Sequence, residues 1–408
     1  MLEPDENEPL RGSVIAYVLK GYPSLSQTFV RDEIATLRAA GYAVDVTSME
    51  RSDQERIPRG WSGPYRTTVG ATWREGARDL LWWALHRPRA VLRLAHAVRA
   101  SGYASGRELL REVPIIARRL DARDVRVVHA HFGWRAMTPS VYIAALLGCP
   151  ATVTLHAADI YLPGPDFARR VNQLDGVVTV CAYNITRLAA MGVELGRISL
   201  VPCGVDVDVE VLPVQAPQRV VSVGRLVRKK GMDVLVRAFR AAVDDAPGAH
   251  LEIIGEGPCE PELRELVASE GLEAHVTFSG ALEHAETLAR ISRAGVFALA
   301  CRVGPDGDSD AVPVALREAM ARARPIVTTA VAGIGENVDA DVGWVVPSDD
   351  VDAFARALAE SLADPALSAA KGAAGRQRQV EHYTLERSME LLTRMWSGVI
   401  DGSAGRSR

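Results

Sequence analysis

The sequence predicts an α/β protein built from two Rossmann-like, doubly wound parallel-sheet domains. Three observations carry that expectation. Short apolar runs alternate with helical stretches from end to end. The runs are near-continuous rather than alternating, as in strands buried on both faces. They also fall into two series separated by DVDVEVLPVQAPQR (Asp206–Arg219), which carries two prolines and no helical period. A length of 408 residues exceeds one ordinary core and supports the division.

The first series of strands is expected at Val14–Leu19, Val44–Thr47, Val125–His129, Thr152–Leu155, Val177–Val180 and Ile198–Val201. The second is expected at Val220–Val223, Leu251–Ile254, Val276–Phe278, Val296–Ala300, Pro325–Thr328 and Trp344–Val346. Helical patterns at Arg31–Ala40, Asp233–Val243 and Glu262–Ser269 supply crossovers between parallel strands. The boundaries that follow are a domain over 1–205, a linker over 206–219, a domain over 220–383, and a last helix with its tail over 384–408. GSAGRSR at the end is read as a frayed tail. Trp73–Leu120 breaks the alternation and reads as helical throughout. Trp82 and Trp83 lie there among leucines and arginines. The favoured reading is a helical insertion packed on the first sheet; the other is a peripheral membrane contact.

Apolar content of 48% and charged content of 24% are those of a soluble globular chain. A net charge of −4 provides no broad basic field, which argues against nucleic acid as a partner. Five scattered cysteines fit reduced thiols and a cytoplasmic location. The acidic N-terminus is no signal peptide, and no apolar run approaches the roughly 20 residues that span a bilayer.

The most informative segment is VVSVGRLVRKKGMDVLVRAF, Val220–Phe239. An apolar run ends in Gly224, Arg225 follows, and Lys229, Lys230 and Gly231 precede a helix. Cations delivered from a strand end to a helix start suit a diphosphate. Only four of the 47 basic residues are lysines, and two of them are adjacent here. A second segment, GPDGDSDAVPVALREAMARARPIV, spans Gly304–Val327. Its opening is a loop by composition, and Pro313 fits the first helical position. Asp310 lies ahead of that helix and Glu318 inside it. Amides at Ala311, Val312 and Val314 around Pro313 could hold a phosphate or sugar oxygen, and the two carboxylates could accept from hydroxyls. By itself this is also the pattern of a capping residue and a surface acid.

These residues resemble the retaining nucleotide-sugar glycosyltransferases of the GT-B fold, family four. GRLVRKKG, DAVPVALREAM and VAGIGENV are similar to that family's Gly-Arg-Leu…Lys-Gly, Glu-x7-Glu and Gly-Gly-x-x-Glu segments. KGYPSLSQTFVRDEI, HAHFGW and TLHAADIY resemble its exopolysaccharide branch, which contains the colanic-acid enzymes. The resemblance implies a donor domain at 220–383, an acceptor domain at 1–205, and a last helix returning toward the first domain. It also implies that Arg225 and Lys230 hold the donor diphosphate and that Gly224 belongs to the same site. Glu318 then binds the ribose, Asp310 lies near the donor sugar, and His156 is the active-site histidine. Gly21 would let backbone approach the diphosphate. Two positions depart from the family: Asp310 is one methylene shorter than the usual Glu, and Ala323 stands where Gly is common. If that position is left-handed, Ala there costs about 1 kcal/mol.

The implied reaction is retaining transfer from a nucleoside diphosphate sugar to a hydroxyl of a glycan or small-molecule acceptor. Fixed cations stabilise the leaving diphosphate, so no cofactor or metal is expected to be required. Asp306, Asp308 and Asp310 nonetheless form D-x-D patterns able to bind Mg²⁺. His129 and His131 share a face of a strand end. With no third ligand evident, they read as polar residues lining the cleft. The competing functions are transfer onto a soluble natural product, a GT-B epimerase or phosphorylase, and a non-catalytic binding subunit.

Overall fold

The computed structural model describes residues 10, 12–24, 27–51, 64–102, 106 and 108–406. The acidic N-terminal stretch and Leu25–Ser26 of the KGYPSLSQTFVRDEI segment lie outside them. The chain divides into two compact units. The first takes the described residues of Met1–Val180, Ile185–Pro202 and Leu385–Arg408; the second takes Cys181–Asn184 and Cys203–Thr384.

The first unit holds seven strands: β1 (Val14–Gly21), β2 (Ala43–Glu50), β3 (Arg66–Thr67), β4 (Val125–His131), β5 (Ala151–Thr154), β6 (Gly176–Thr179) and β7 (Ile198–Leu200). Their order is β3-β2-β1-β4-β5-β6-β7, and all pairs are parallel. Every expected strand is present within a few residues; β3, two residues long and exposed, has no apolar run to announce it. Register lines up Tyr17 with His129, His129 with Thr152, and Thr152 with Gly176 across four strands. The helix Leu385–Arg406 packs on this row. Trp396 is fully buried and its Nε1–H donates to Thr152 Oγ1 at 3.1 Å. A Cβ at Gly176 would come within 2.7 Å of Met395 Sδ and 3.2 Å of Thr152 Cγ2 and Val399 Cγ1, so the close packing of this helix favours glycine there. That helix corrects the reading of GSAGRSR as a frayed tail, because it continues through Arg406.

Trp73–Leu120 forms helices at Trp73–His86, Pro88–Ser101 and Val113–Leu120, with a π-helical turn at Glu108–Glu112. Trp83 is buried, its Nε1–H directed at Pro114 O, and Trp82 lies between the Arg118 guanidinium and the His86 ring. The outward large apolar side chains are instead Trp73, Leu81, Leu85, Leu92 and Leu110. Among the described residues no helix is long and apolar enough to cross a membrane.

The second unit holds β8 (Ala216–Val223), β9 (His250–Ile254), β10 (Val276–Gly280), β11 (Ala294–Leu299), β12 (Ile326–Thr329) and β13 (Gly343–Val346). Their order is β10-β9-β8-β11-β12-β13, again all parallel. β8 begins inside the stretch read as a linker. Pro217 is tolerated there because it precedes the residues paired with β9, which start at Arg219, and on the β11 side falls where the register shifts between the Ala216–Ala294 and Val220–Val296 pairs. In both sheets the order reverses beside the first strand, at β1/β4 and at β8/β11. Ligands of open α/β sheets bind outside the carboxyl ends of the strands at such a point.

Ala323 has φ of +53°. It follows the helix Val314–Ala321 and takes the left-handed conformation that glycine adopts without strain. Ala323→Gly is expected to raise unfolding free energy by about 1 kcal/mol in urea titrations. A loss of stability would contradict this.

Candidate functional site

In the second unit, the segments leaving β8 and β11 meet. Arg302 N–H donates to Lys229 O at 2.9 Å, joining the two loops. Gly231 makes the approach feasible: its φ is +59°, and a Cβ there would lie 1.8 Å from Ala300 O. The lysines then project onto the loop of Gly304–Asp310. Lys230 Nζ pairs with Asp310 Oδ2 at 2.6 Å. Lys229 Nζ pairs with Asp308 Oδ2 at 2.9 Å and Asp310 Oδ1 at 3.4 Å, and it donates to Ser309 O. Burial alone would favour neutral Lys230, but Asp310 beside it keeps the ammonium above its ordinary pKa. Burial likewise pushes Asp310 up, and the two lysines more than reverse this, leaving the carboxyl below the usual range. Arg225 is exposed and close enough to Lys230 to repel its charge.

Other expected contributors are placed differently. Gly224 N–H is used by Ile254 O at 3.0 Å and is not aimed at a ligand. Pro313 caps the helix Val314–Ala321 instead of opening it, since its ψ of 127° is extended. Ala311 O accepts from Gly333 N–H. Glu318 is buried and its Oε1 hydrogen-bonds His284 Nε2 at 2.7 Å. Asp308 and Asp310 already hold lysines, so a cation at the D-x-D patterns would compete with internal charges.

In the first unit, Gly21 ends β1 and His131 ends β4. His129 and His131 are 0% and 1% exposed, so they are buried and do not line an open cleft. A third group is also present: Glu33, from the helix Thr28–Ala39, places a ligand atom within 4.8 Å of theirs. Hydrogen bonds account for this cluster. His129 uses Nδ1 with Thr152 Oγ1 at 2.8 Å and Nε2 with Thr154 Oγ1 at 3.1 Å. His131 uses Nε2 with Glu33 Oε1 at 2.9 Å and Nδ1 with His156 Nε2 at 3.1 Å. Tyr17 O–H donates to Glu33 Oε1 at 2.6 Å. A metal bound here would displace these partners. Burial, then the nearby His131, holds His156 well below the ordinary histidine pKa.

His156 precedes the short helix Ala157–Tyr161, and its N–H donates to Asp159 Oδ2 at 2.9 Å. Burial pushes the Asp159 carboxyl up to about 7, against the backbone N–H groups of His156 and Gly133. The folded pKa lies above the unfolded value, so this group's stabilising contribution is complete below about pH 4 and lost as pH rises through about 7. Asp159→Asn removes the ionisation and keeps an acceptor for the N–H groups. Its stability relative to the native chain is expected to improve by on the order of 2 kcal/mol between pH 5 and 8 in urea titrations. An unchanged difference across that range would refute the assignment.

Residues 26–209 match the family described as Glycosyltransferase Family 4, and residues 209–378 match Glycosyl transferases group 1. WcaL of Escherichia coli (strain K12), a glycosyltransferase assigned to colanic acid biosynthesis, is 30% identical over 369 residues, 86% of this chain and 89% of that protein. The chain belongs to glycosyltransferase family four. AmsK of Erwinia amylovora, an amylovoran biosynthesis glycosyltransferase, is 29% identical over 63% of this chain and 66% of its own length. Among solved structures, Anabaena HepE in complex with UDP and glucose aligns with a TM-score of 0.72, at 14% identity, over 95% of this chain and 100% of that chain. That likeness establishes the GT-B fold.

Within this family-four enzyme, sequence reasoning missed Glu33, Asp159, Lys229 and His284 as partners of the site residues. Lys229 carried a signal, being one of two adjacent lysines in an arginine-rich chain. Glu33, Asp159 and His284 are ordinary helix residues in sequence, and only packing reveals what they touch.

Proposed function

We propose that this glycosyltransferase moves a sugar, with retention of configuration, from a nucleoside diphosphate sugar to an acceptor hydroxyl in exopolysaccharide synthesis. One observation carries the reading: Lys230, held charged by Asp310 and flanked by Arg225, stands at the β8/β11 switch point. Charge grows on the diphosphate as the sugar leaves, and preformed cations there stabilise it without reorganisation. Both Asp310 oxygens already have lysine partners, so its role includes aiming them, and a donor hydroxyl would share those oxygens. Glu318, oriented by His284, retains capacity to accept from ribose hydroxyls. The amides of Ala311, Val312 and Val314 complete the proposed donor site, and Gly224, whose N–H is already used, contributes by leaving room for the Lys230 side chain. The first unit binds the acceptor, and His156 supplies an imidazole to the reacting sugar. WcaL and AmsK support an exopolysaccharide acceptor. For a peripheral membrane contact, Leu81, Leu85 and Leu92 among Arg78, Arg87 and Arg89 are better placed than the tryptophan pair.

The test is a thermal-shift screen against nucleoside diphosphates and their sugars, followed by product analysis. A diphosphate at 100 times its Kd adds about 2.7 kcal/mol. Transfer with retained configuration supports the reading, and absence of any diphosphate response refutes it. Turnover without acceptor would indicate an epimerase, phosphate dependence a phosphorylase, and indifference to detergent or liposomes a soluble acceptor.

A further inference from the structure

Three stretches far apart in sequence converge on one ring. Glu33 comes from the first helix, His131 from the end of β4, and His156 from the residue before the helix Ala157–Tyr161. Their side chains form an unbroken chain, Glu33 Oε1 to His131 Nε2 at 2.9 Å and His131 Nδ1 to His156 Nε2 at 3.1 Å. Aromatic groups fix the geometry. The Phe132 and Phe29 rings lie 4.5 Å and 4.8 Å from the His156 ring, and Tyr17 stacks on His131 at 5.9 Å. Phe132 sits at φ of +70°, a conformation that costs a non-glycine residue energy and persists only where packing enforces it. So much structure around one half-buried ring is more than its burial requires.

We infer that Glu33 and His131 are positioning residues that hold His156 as its Nε2–H tautomer, an inference that rests on the functional reading of His156 given above. The logic is directional. A carboxylate only accepts, so His131 donates from Nε2–H. A neutral His131 then carries a lone pair at Nδ1, and His156 must donate to it from Nε2–H. The Nδ1 of His156 is thereby an acceptor, unable to protonate a leaving oxygen. We take His131 in its neutral form within this chain, where Glu33 Oε1 also accepts from Tyr17 O–H. The arrangement follows the general rule that the partner of one ring nitrogen sets the state of the other.

The test uses the full chain labelled with ¹⁵N-histidine, with His156 assigned by the signal lost in His156→Asn. Long-range ¹H–¹⁵N spectra at neutral pH are expected to show His156 protonated at Nε2 only. Glu33→Ala is expected to yield mixed tautomers and a kcat lower by about 10–100-fold, the scale for losing an outer partner of a functional histidine. Donor KM is expected to change less than threefold, and Glu33→Gln, which still accepts from His131, to restore most of the rate. If Glu33→Ala does not fold, Glu33→Asp takes its kinetic role, and the native tautomer needs no variant. A His156 protonated at Nδ1, or a kcat indifferent to Glu33, overturns the inference. Failure to transfer any sugar would sink the functional reading and leave the tautomer measurement standing.

Discussion

Lys230→Ala is expected to lower the rate of sugar transfer by about 10²–10³-fold, the cost of removing one preorganised stabiliser of a developing anion. The Lys230 side chain is 13% exposed and its ammonium lies 2.6 Å from Asp310 Oδ2. It is therefore desolvated, aimed and charged before a donor arrives, the conditions under which a fixed cation acts most strongly on a transition state. Lys230→Arg is expected to recover little, because the side chain lies against Gly224, where a Cβ would be 3.2 Å from Lys230 Cε. A planar fork does not fit a site shaped for a compact ammonium. Steady-state kinetics with saturating donor check this, and a loss below threefold would mean that Lys230 does not meet the leaving diphosphate.

Lys229→Ala is expected to act on stability, costing about 3–5 kcal/mol. Lys229 is 6% exposed and its ammonium joins Asp308, Asp310 and the Ser309 carbonyl. Truncation leaves Asp308 without its lysine and Asp310 with Lys230 alone. The gain from replacing the whole cluster would be small, since burying charges is itself costly, but breaking it on one side is not small. Urea unfolding measures the loss, and Lys229→Met with Asp308→Asn should recover part of it by removing an unpaired charge. A change under 1 kcal/mol in the single variant would show that solvent replaces the lysine. Adjacent lysines of identical type are thus expected to fail in different ways, one in rate and one in folding.

Much of the fold was legible from residues alone. Strands buried on both faces must be apolar throughout, so β1, β4, β8 and β11 are readable from local sequence. β3 and the first residues of β8 are not, because one is exposed and the other contains Pro217. The candidate site was legible where chemistry is concentrated in a short stretch, as in Arg225–Gly231 and Asp310–Glu318. It was illegible where a partner arrives from elsewhere. Asp310 reads as a residue facing a sugar, and tertiary contact gives it two lysines. His129 and His131 read as cleft-lining, and the row Tyr17–His129–Thr152 places them inside the sheet beneath Trp396.

Periodicity and strand length were sufficient to establish two parallel-sheet domains, and the lysine pair in an arginine-rich chain to mark Arg225–Gly231 as a candidate anion site, because those properties depend on neighbours within a few residues. The pairing of Lys230 with Asp310, the linkage of Glu33 through His131 to His156, and the left-handed Ala323 were decided by the packed structure. Hydrogen bonds and ion pairs act over about 3 Å, and only folding brings residues separated by 25 to 98 positions that close.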